Sequence, residues 1–341
     1  MTNATIFSGI KPSGELHIGG YIGSVKQWLD IQKNPSILDV NITHSELIFS
    51  VVDLHAITVY QDPHVLRQRT MQLVALYLAF GVDPKLCKLF IQSTNSNHTY
   101  LAWILDCMCS MGQMERMTQY KDKKVTLNEN ISVGLFNYPA LMAADILLYG
   151  TTHVPVGEDQ KQHIELTRDL AMHFNKKYTE TFIIPKPVIK TEGRRIMSLQ
   201  NPNNKMSKSE SDPLGTICIL DTKDEMIKKI VRATTDSDSL ITYEPENRKA
   251  VANLLEIFAS FDTNLRTENE IATFYKEKGF KVFKEDLGEL VSQELGKIQL
   301  KYNELISNMD YLDLVVKDGE EWTYERSSTM LSRVKKAIGI Y

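Results

Sequence analysis

At 341 residues the chain has room for two domains, or for one large domain with a smaller one appended. Hydrophobic residues make up 43%, which permits a real core and excludes wholesale disorder. A formal net charge of −4 excludes a general nucleic-acid coat, yet leaves room for one structured RNA met by a local basic patch.

Residues 1–10 lack the basic and apolar regions of a signal peptide. The apolar stretch 131–144 is too short to span a bilayer and ends at Asp145. A cytoplasmic protein without membrane association is expected. Cys87, Cys107, Cys109 and Cys218 lack zinc-site spacing, so buried reduced thiols and no metal site are expected.

In chain order, residues 5–8 read as a strand and 9–14 as a turn. Residues 20–32 read as a helix with Ile22, Val25, Trp28 and Leu29 on one face. The apolar run 47–52 has the character of a buried parallel strand. Asp62 caps the next helix with Pro63 at its first position, and Gly81 closes it. Residues 86–92 form the following strand, which predicts a right-handed parallel unit with ligands at the strands' carboxyl ends. Residues 101–149 read as mostly helical with a polar break at 121–130, an insertion spanning about 95–150. Short strands at 152–156 and 181–184 flank a helix over 160–174. Thr222-Lys-Asp-Glu225 is a capping box, and helical periodicity dominates from 224 onward.

The predicted class is therefore α/β: a Rossmann-like doubly wound parallel sheet with a helical insertion and a C-terminal helical domain. The boundary falls between a catalytic domain, 1–212, and a helical domain, 213–341.

Two short motifs carry the chemistry. Ser8-Gly-Ile-Lys-Pro-Ser-Gly14 leads into His17-Ile-Gly19-Gly20. A histidine at a helix start can donate to a phosphate oxygen, and Gly19 removes a side chain that would block a base or ribose. A tight turn followed by a capping histidine is the plainer alternative. Far downstream, Lys205-Met-Ser-Lys208-Ser209 follows the turn-rich Asn201-Pro-Asn-Asn204. Two ammonium groups reaching one pyrophosphate supply the charge stabilisation that nucleotidyl transfer needs, against the alternative of a surface lysine loop. In this order, the pair points to a nucleoside triphosphate site.

These segments resemble the HIGH and KMSKS signatures of class I aminoacyl-tRNA synthetases. Further stretches resemble the bacterial-type tryptophanyl-tRNA synthetases. Among them are Phe7-Ser-Gly-Ile-Lys-Pro-Ser-Gly14, Val52-Asp-Leu-His-Ala-Ile-Thr58, Glu115-Arg-Met-Thr-Gln119 and Tyr138-Pro-Ala-Leu-Met-Ala-Ala-Asp-Ile-Leu-Leu-Tyr149. Others are Val154-Pro-Val-Gly-Glu-Asp-Gln-Lys-Gln-His163, Arg195-Ile-Met-Ser198 and Thr235-Asp-Ser237. The resemblance spans nearly the whole chain.

It implies activation of L-tryptophan with ATP and Mg²⁺ to tryptophanyl-adenylate and pyrophosphate, then transfer to the 3′ end of tRNA(Trp). It further implies a homodimer, no tightly bound prosthetic group and no DNA partner. The implied catalytic set is His17, Gly20, Lys123, Lys205 and Lys208, with Lys121 and Lys124 as alternatives to Lys123. The implied ATP site adds Lys11, Pro12, Ser13, Gly19, Gly157, Glu158, Asp159, Ile196, Met206, Ser207 and Ser209. The turn at Gly157 would contact the ribose, though Asp159 with Gln162 also fits a plain capping box. Phe7, His55 and Met142 would line the indole pocket, while Tyr138 and Gln160 hold the amino group.

Tyr138, Met142, Asp145 and Tyr149 recur at steps of four, three and four, hence on one helical face. Asp145 sits among apolar neighbours and needs a donor. An indole N–H donates and does nothing else, so its capture by Asp145 selects tryptophan; a structural salt bridge to a lysine or arginine is the alternative. Gly20 stands where the family offers Asn or His to the phosphates, a loss of ~1.5–3 kcal/mol unless a group such as Lys11 compensates. Lys228, Lys229 and Arg232 suit an RNA backbone, or simply a solvated face. A tyrosyl-tRNA synthetase, a weakly catalytic tryptophan- or tRNA-sensing paralogue and a small-molecule nucleotidyltransferase are the competing functions.

Overall fold

The computed structural model describes residues 2–121, 131–189, 195–207, 212–236 and 238–341. Its backbone divides into two compact units. One comprises Met1–Ser13, Trp28–Thr191 and Asn308–Tyr341, and the other Gly14–Gln27 and Glu192–Ser307.

The first unit is built on five parallel strands: β1 (Thr2–Ile10), β2 (Ile42–Val51), β3 (Cys87–Ile91), β4 (His153–Pro155) and β5 (Lys186–Val188). Their order is β3-β2-β1-β4-β5, so the winding reverses between β1 and β4, as in a Rossmann-like sheet. In such sheets ligands bind beside the reversal at the carboxyl ends of the strands, where here Lys11–Ser13 follow β1 and Gly157–Asp159 follow β4. The helices Asn97–Asp106, Met111–Glu115 and Val133–Leu147 fill the insertion between β3 and β4.

Local chemistry sets several element limits. The Asp62 carboxylate caps Pro63–Phe80 by accepting from the His64 and Val65 N–H groups, each at 3.0 Å. Gly81 ends that helix at φ 108°, a left-handed conformation that favours glycine. Trp28 stacks on Phe49 at 4.6 Å and meets Tyr77 edge-on at 5.2 Å, which fills the core behind β2.

Two expectations change. Residues 181–184 form no strand, because Asn175 Oδ1 accepts from both the Thr181 and Phe182 N–H groups at 2.9 Å. Those donors are thus spent before they reach a ladder, and β5 begins at Lys186. The helix expected over 20–32 begins instead at Ile18–Gly20, continues as a π-helical segment, Tyr21–Val25, and ends as Lys26–Lys33. Of the four cysteines expected to be buried, only Cys87 is; Cys107 is exposed, and Cys109 and Cys218 are half-buried.

The compact units also depart from a division at 212/213. The long helix Met309–Ile338 returns to the sheet unit, where Gly319 lies against the β3 backbone. Residues 14–27 join the second unit through main-chain bonds from Ile18 N to Ile217 O (3.0 Å) and from Ile219 N to Leu16 O (2.8 Å). A division in sequence order cannot register pairings that distant.

The second unit gathers Lys223–Val231, Lys249–Phe261, Glu268–Tyr275 and Gly279–Ile306. Thr222 and Glu225 form the expected reciprocal capping box. Arg248, largely buried, clamps the following loop through two bonds to Asp236 (2.5 and 2.8 Å) and one to Leu240 O (2.7 Å).

Asp106, at the end of its helix in the insertion, has a carboxyl pushed up to about 6 by burial, against an opposing hydrogen bond from Asn137. A raised carboxyl binds its proton more tightly in the folded state. Its stabilising contribution is therefore present in acid and lost as pH rises through about 6. Asp106→Asn is expected to raise Tm relative to the parent at pH 8 and not at pH 4. An equal shift at both pH values in thermal unfolding would refute this.

Candidate active site

The residues expected to bind the amino acid lie in the first unit. Asp145 projects from Val133–Leu147 and is almost wholly buried. Its Oδ2 lies 2.8 Å from His55 Nε2. The His55 and Tyr138 rings meet edge-on at 6.1 Å, and Phe7 stacks on Tyr149 at 5.7 Å. Met142 is partly buried against the same core. Tyr138 Oη donates to Gln119 Oε1 (3.1 Å) and lies 2.6 Å from His163 Nε2. Burial pushes the Tyr138 phenol well above its ordinary range, so it is a neutral hydroxyl at physiological pH.

Asp145 has more partners than the sequence suggested, and none is a lysine or arginine. Gln92 Nε2 donates to its Oδ1 at 2.7 Å, and His98 Nδ1 reaches the same oxygen at 2.6 Å. Burial alone would raise this carboxyl, but the hydrogen bonds from His55 and His98 override it and hold it below the ordinary aspartate range. The group is therefore an anionic acceptor at neutral pH. Gln92 and His98 carried a weak signal: one is a polar residue at the end of an apolar strand, the other a histidine beginning an apolar helix. Gln119 and His163 lie in motifs noted above but had no role there.

At the carboxyl end of β4, Gln160 Nε2 donates to Asp159 Oδ2 (2.8 Å), and Gln119 donates to Asp159 O (3.4 Å). The alternative capping box does not form. Gln162 Oε1 instead accepts from Thr118 N and Oγ1, at 2.8 and 2.9 Å. Lys11, Pro12 and Ser13 follow β1, and Gly157 and Glu158 follow β4.

The second unit holds the two motifs. His17 Nδ1 accepts from Gly20 N at 3.3 Å, which caps the helix. A Cβ on Gly19 would lie 3.0 Å from His17 Nδ1, so glycine there makes room for the histidine ring itself. Residues 195–207 fold back on themselves: Met206 N donates to Ile196 O (3.0 Å) and Ser198 N to Asn204 O (2.8 Å). Asn253 holds this hairpin by accepting from Met197 N (2.8 Å) and donating to Met197 O (3.0 Å). Thr216 Oγ1 donates to Ser207 O at 3.1 Å. Lys205 is exposed, Met206 is buried, and Ile196 is buried with its carbonyl engaged. Lys123, Lys208 and Ser209 lie outside the described residues. Of the three basic residues expected near RNA, Lys229 is committed to an ion pair with Asp221 at 2.6 Å, while Lys228 and Arg232 are exposed.

A separate groove of about 1050 Å³ lies beside Met309–Ile338, lined by Phe182, Ile183, Trp322 and Arg326 among others. It contains none of the residues expected to bind ATP or the amino acid.

A parallel sheet reversing at β1/β4, with a buried carboxylate pocket in one unit and the paired motifs in the other, defines a nucleotide-dependent synthetase of class I type. The family model for class I tRNA synthetases (W and Y) matches residues 1–296, and the chain belongs to that family. It is 46% identical over 340 residues to the tryptophan–tRNA ligase of Wolinella succinogenes, covering 100% of both chains. Among solved structures, it resembles tryptophanyl-tRNA synthetase from Mycoplasma pneumoniae with a TM-score of 0.90 and 32% identity, covering 99% of this chain and 98% of that one. The tryptophanyl-tRNA synthetase from Campylobacter jejuni complexed with ADP and tryptophan gives a TM-score of 0.81 at 33% identity, covering 98% and 100%.

Proposed function

We propose that this protein is a tryptophan–tRNA ligase that activates L-tryptophan with ATP and then charges tRNA(Trp). The observation that carries the reading is the buried Asp145 carboxylate, anionic and hydrogen-bonded to His55. Such an acceptor rewards a ring N–H. A benzyl side chain carries no donor and would leave it underused at large cost. The full-length identity to a tryptophan–tRNA ligase weighs against a tyrosine enzyme.

In the first step, the tryptophan carboxylate attacks the α-phosphorus of ATP. A new P–O bond forms, the bond to the bridging α–β oxygen breaks, and pyrophosphate leaves. The substrate brings its own nucleophile, so the chain's contribution is positioning and charge stabilisation. Phe7, His55 and Met142 embrace the indole, Tyr138 and Gln160 orient the amino group, and Asp145 accepts the indole N–H. Gly157, Glu158 and Asp159 take the ribose, and the Ile196 backbone takes the adenine. Lys11, His17, Gly20, Lys123, Lys205 and Lys208 serve the phosphates, and Pro12, Ser13, Gly19, Met206, Ser207 and Ser209 complete the ATP site. Among the described residues no cluster of three acidic, histidine or cysteine side chains is arranged to cage a metal. Mg²⁺ would arrive on the ATP phosphates, as this ion commonly does.

In the second step, tryptophan passes to the tRNA 3′ end. The helices within 213–307 are the proposed contact for the rest of the tRNA, with Lys228 and Arg232 as phosphate contacts. We further infer a cytoplasmic homodimer. Among the described residues no helix is long and apolar enough to cross a membrane.

ATP–pyrophosphate exchange tests the reading, run with tryptophan, with tyrosine and without amino acid. Exchange with tryptophan alone is expected. Tryptophan binding without exchange would instead favour the sensing paralogue, whose one support is Gly20. That residue is at φ −71°, a conformation open to any side chain, and an added Cβ would meet only Leu16 Cδ1, at 3.0 Å. Gly20→Asn is therefore expected to fold and to form adenylate as fast as the parent or faster in single-turnover kinetics. A large loss would mean the local backbone is fitted to glycine.

A further inference from the structure

Asp145 is held by more than the residues that line its pocket, and its two oxygens are held differently. Oδ1 receives the Gln92 amide at 2.7 Å and His98 Nδ1 at 2.6 Å. Oδ2 receives His55 Nε2 at 2.8 Å. A carboxylate oxygen accepts about two hydrogen bonds. Oδ1 is thus fully engaged, and Oδ2 is the atom that can take a further N–H.

His98 is fully buried and bonded at both ring nitrogens. Its Nε2 lies 2.7 Å from Tyr149 Oη, and Asn95 Nδ2 donates to that same hydroxyl at 3.3 Å. An amide nitrogen only donates, so Tyr149 Oη accepts from Asn95; with His98 neutral and protonated at Nδ1, Nε2 is an acceptor and takes the Tyr149 proton. A carboxylate only accepts, so His98 Nδ1 carries a proton toward Asp145. The carboxylate end sets the tautomer of the neutral ring, and the bonds run one way: Asn95 to Tyr149 to His98 to Asp145. The start of the relay is anchored on the last long helix. Asn95 Nδ2 donates to Ser327 Oγ at 3.0 Å, and Asn97 Nδ2 donates to the same oxygen at 2.9 Å.

We propose that His98 is a positioning residue for substrate selection: with Gln92 it fixes the plane of the Asp145 carboxylate so that Oδ2 faces the ring N–H, and Tyr149 holds the His98 ring at Nε2. The proposal rests on the reading of Asp145 as the indole acceptor. Loss of the two Oδ1 donors frees the carboxylate to rotate about its χ2 toward whichever donors remain. A small misplacement of a binding group is enough to erase selectivity.

The test compares kcat/KM in ATP–pyrophosphate exchange for tryptophan and for β-(3-benzothienyl)alanine, an isostere with sulfur in place of the indole N–H. The parent protein should prefer tryptophan strongly. His98→Leu should cut that preference about tenfold or more with the KM for ATP unchanged. His98→Asn places an amide N–H where Nδ1 stood and should restore most of it. Tyr149→Phe removes a single oxygen and should lower the preference several-fold, and it carries the test if His98→Leu does not fold. Equal losses for both amino acids in His98→Leu, no recovery in His98→Asn, or an unchanged preference in Tyr149→Phe would overturn the proposal. A parent protein that uses both amino acids equally would overturn the Asp145 reading itself, and this inference with it.

Discussion

Asp145→Ala is expected to lower kcat/KM for tryptophan by ~10³-fold or more and to collapse the discrimination against phenylalanine, while the KM for ATP stays at the parent value. The magnitude follows from two losses. The indole N–H forfeits an anionic acceptor in a buried site, and the donors from His55, Gln92 and His98 are left facing a methyl group. An orphaned buried donor costs ~1–3 kcal/mol, so the variant is also expected to melt earlier. Exchange assays with tryptophan and phenylalanine check the first effect, and thermal unfolding checks the second. Asp145→Asn separates charge from shape. It keeps the volume and one acceptor oxygen, but turns an amide N–H₂ toward either His55 or the Gln92/His98 pair, and activity between the parent and the alanine variant is expected. Full activity in the alanine variant would remove Asp145 from substrate recognition.

Gly319→Ala is expected to be the most damaging small substitution for stability. A Cβ at Gly319 would sit 2.0 Å from Leu89 O and 2.6 Å from Leu89 C. Those are backbone atoms of β3, the edge strand of the sheet, so no side-chain rotamer relieves the clash. The helix Met309–Ile338 would have to lift from β3, with loss of the packing around the buried Val315, Val316 and Thr323. Overpacking of this kind costs ~3 kcal/mol or more, a fall of several degrees in Tm for a chain of this size. Gly296 supplies the contrast. It lies inside the helix Gly279–Ile306 with open space where its Cβ would be. Gly296→Ala should therefore stabilise by roughly 0.5–1 kcal/mol through helix propensity alone. Paired thermal melts decide both, and equal effects at the two glycines would refute the steric account.

The same contrast between near and distant partners separates what was legible in the chain from what was not. Asp62, Pro63 and Gly81 announced a helix whose caps form as expected, and Thr222 with Glu225 announced another. Each depends on groups within a few residues, so the chain determines them wherever it goes. The spacing of Tyr138, Met142 and Asp145 likewise placed them on one helical face, and apolar runs marked β1 to β3. By itself, then, the sequence determined the α/β class, the limits of the capped helices, the two motifs proposed to serve the phosphates and the buried carboxylate proposed to select the substrate.

The tertiary structure decided everything that depends on partners far apart in sequence. It supplied Asp145 with donors from Gln92 and His98, 53 and 47 residues upstream, and anchored their relay on Ser327, 232 residues beyond Asn95. It withdrew Lys229 into an ion pair with Asp221 and spent the N–H groups of Thr181 and Phe182 on Asn175. It also returned the last helix to the sheet at Gly319, against a division read in sequence order. A buried polar group states in the sequence that it must be satisfied; which distant group satisfies it is fixed only when the fold brings them within hydrogen-bonding distance.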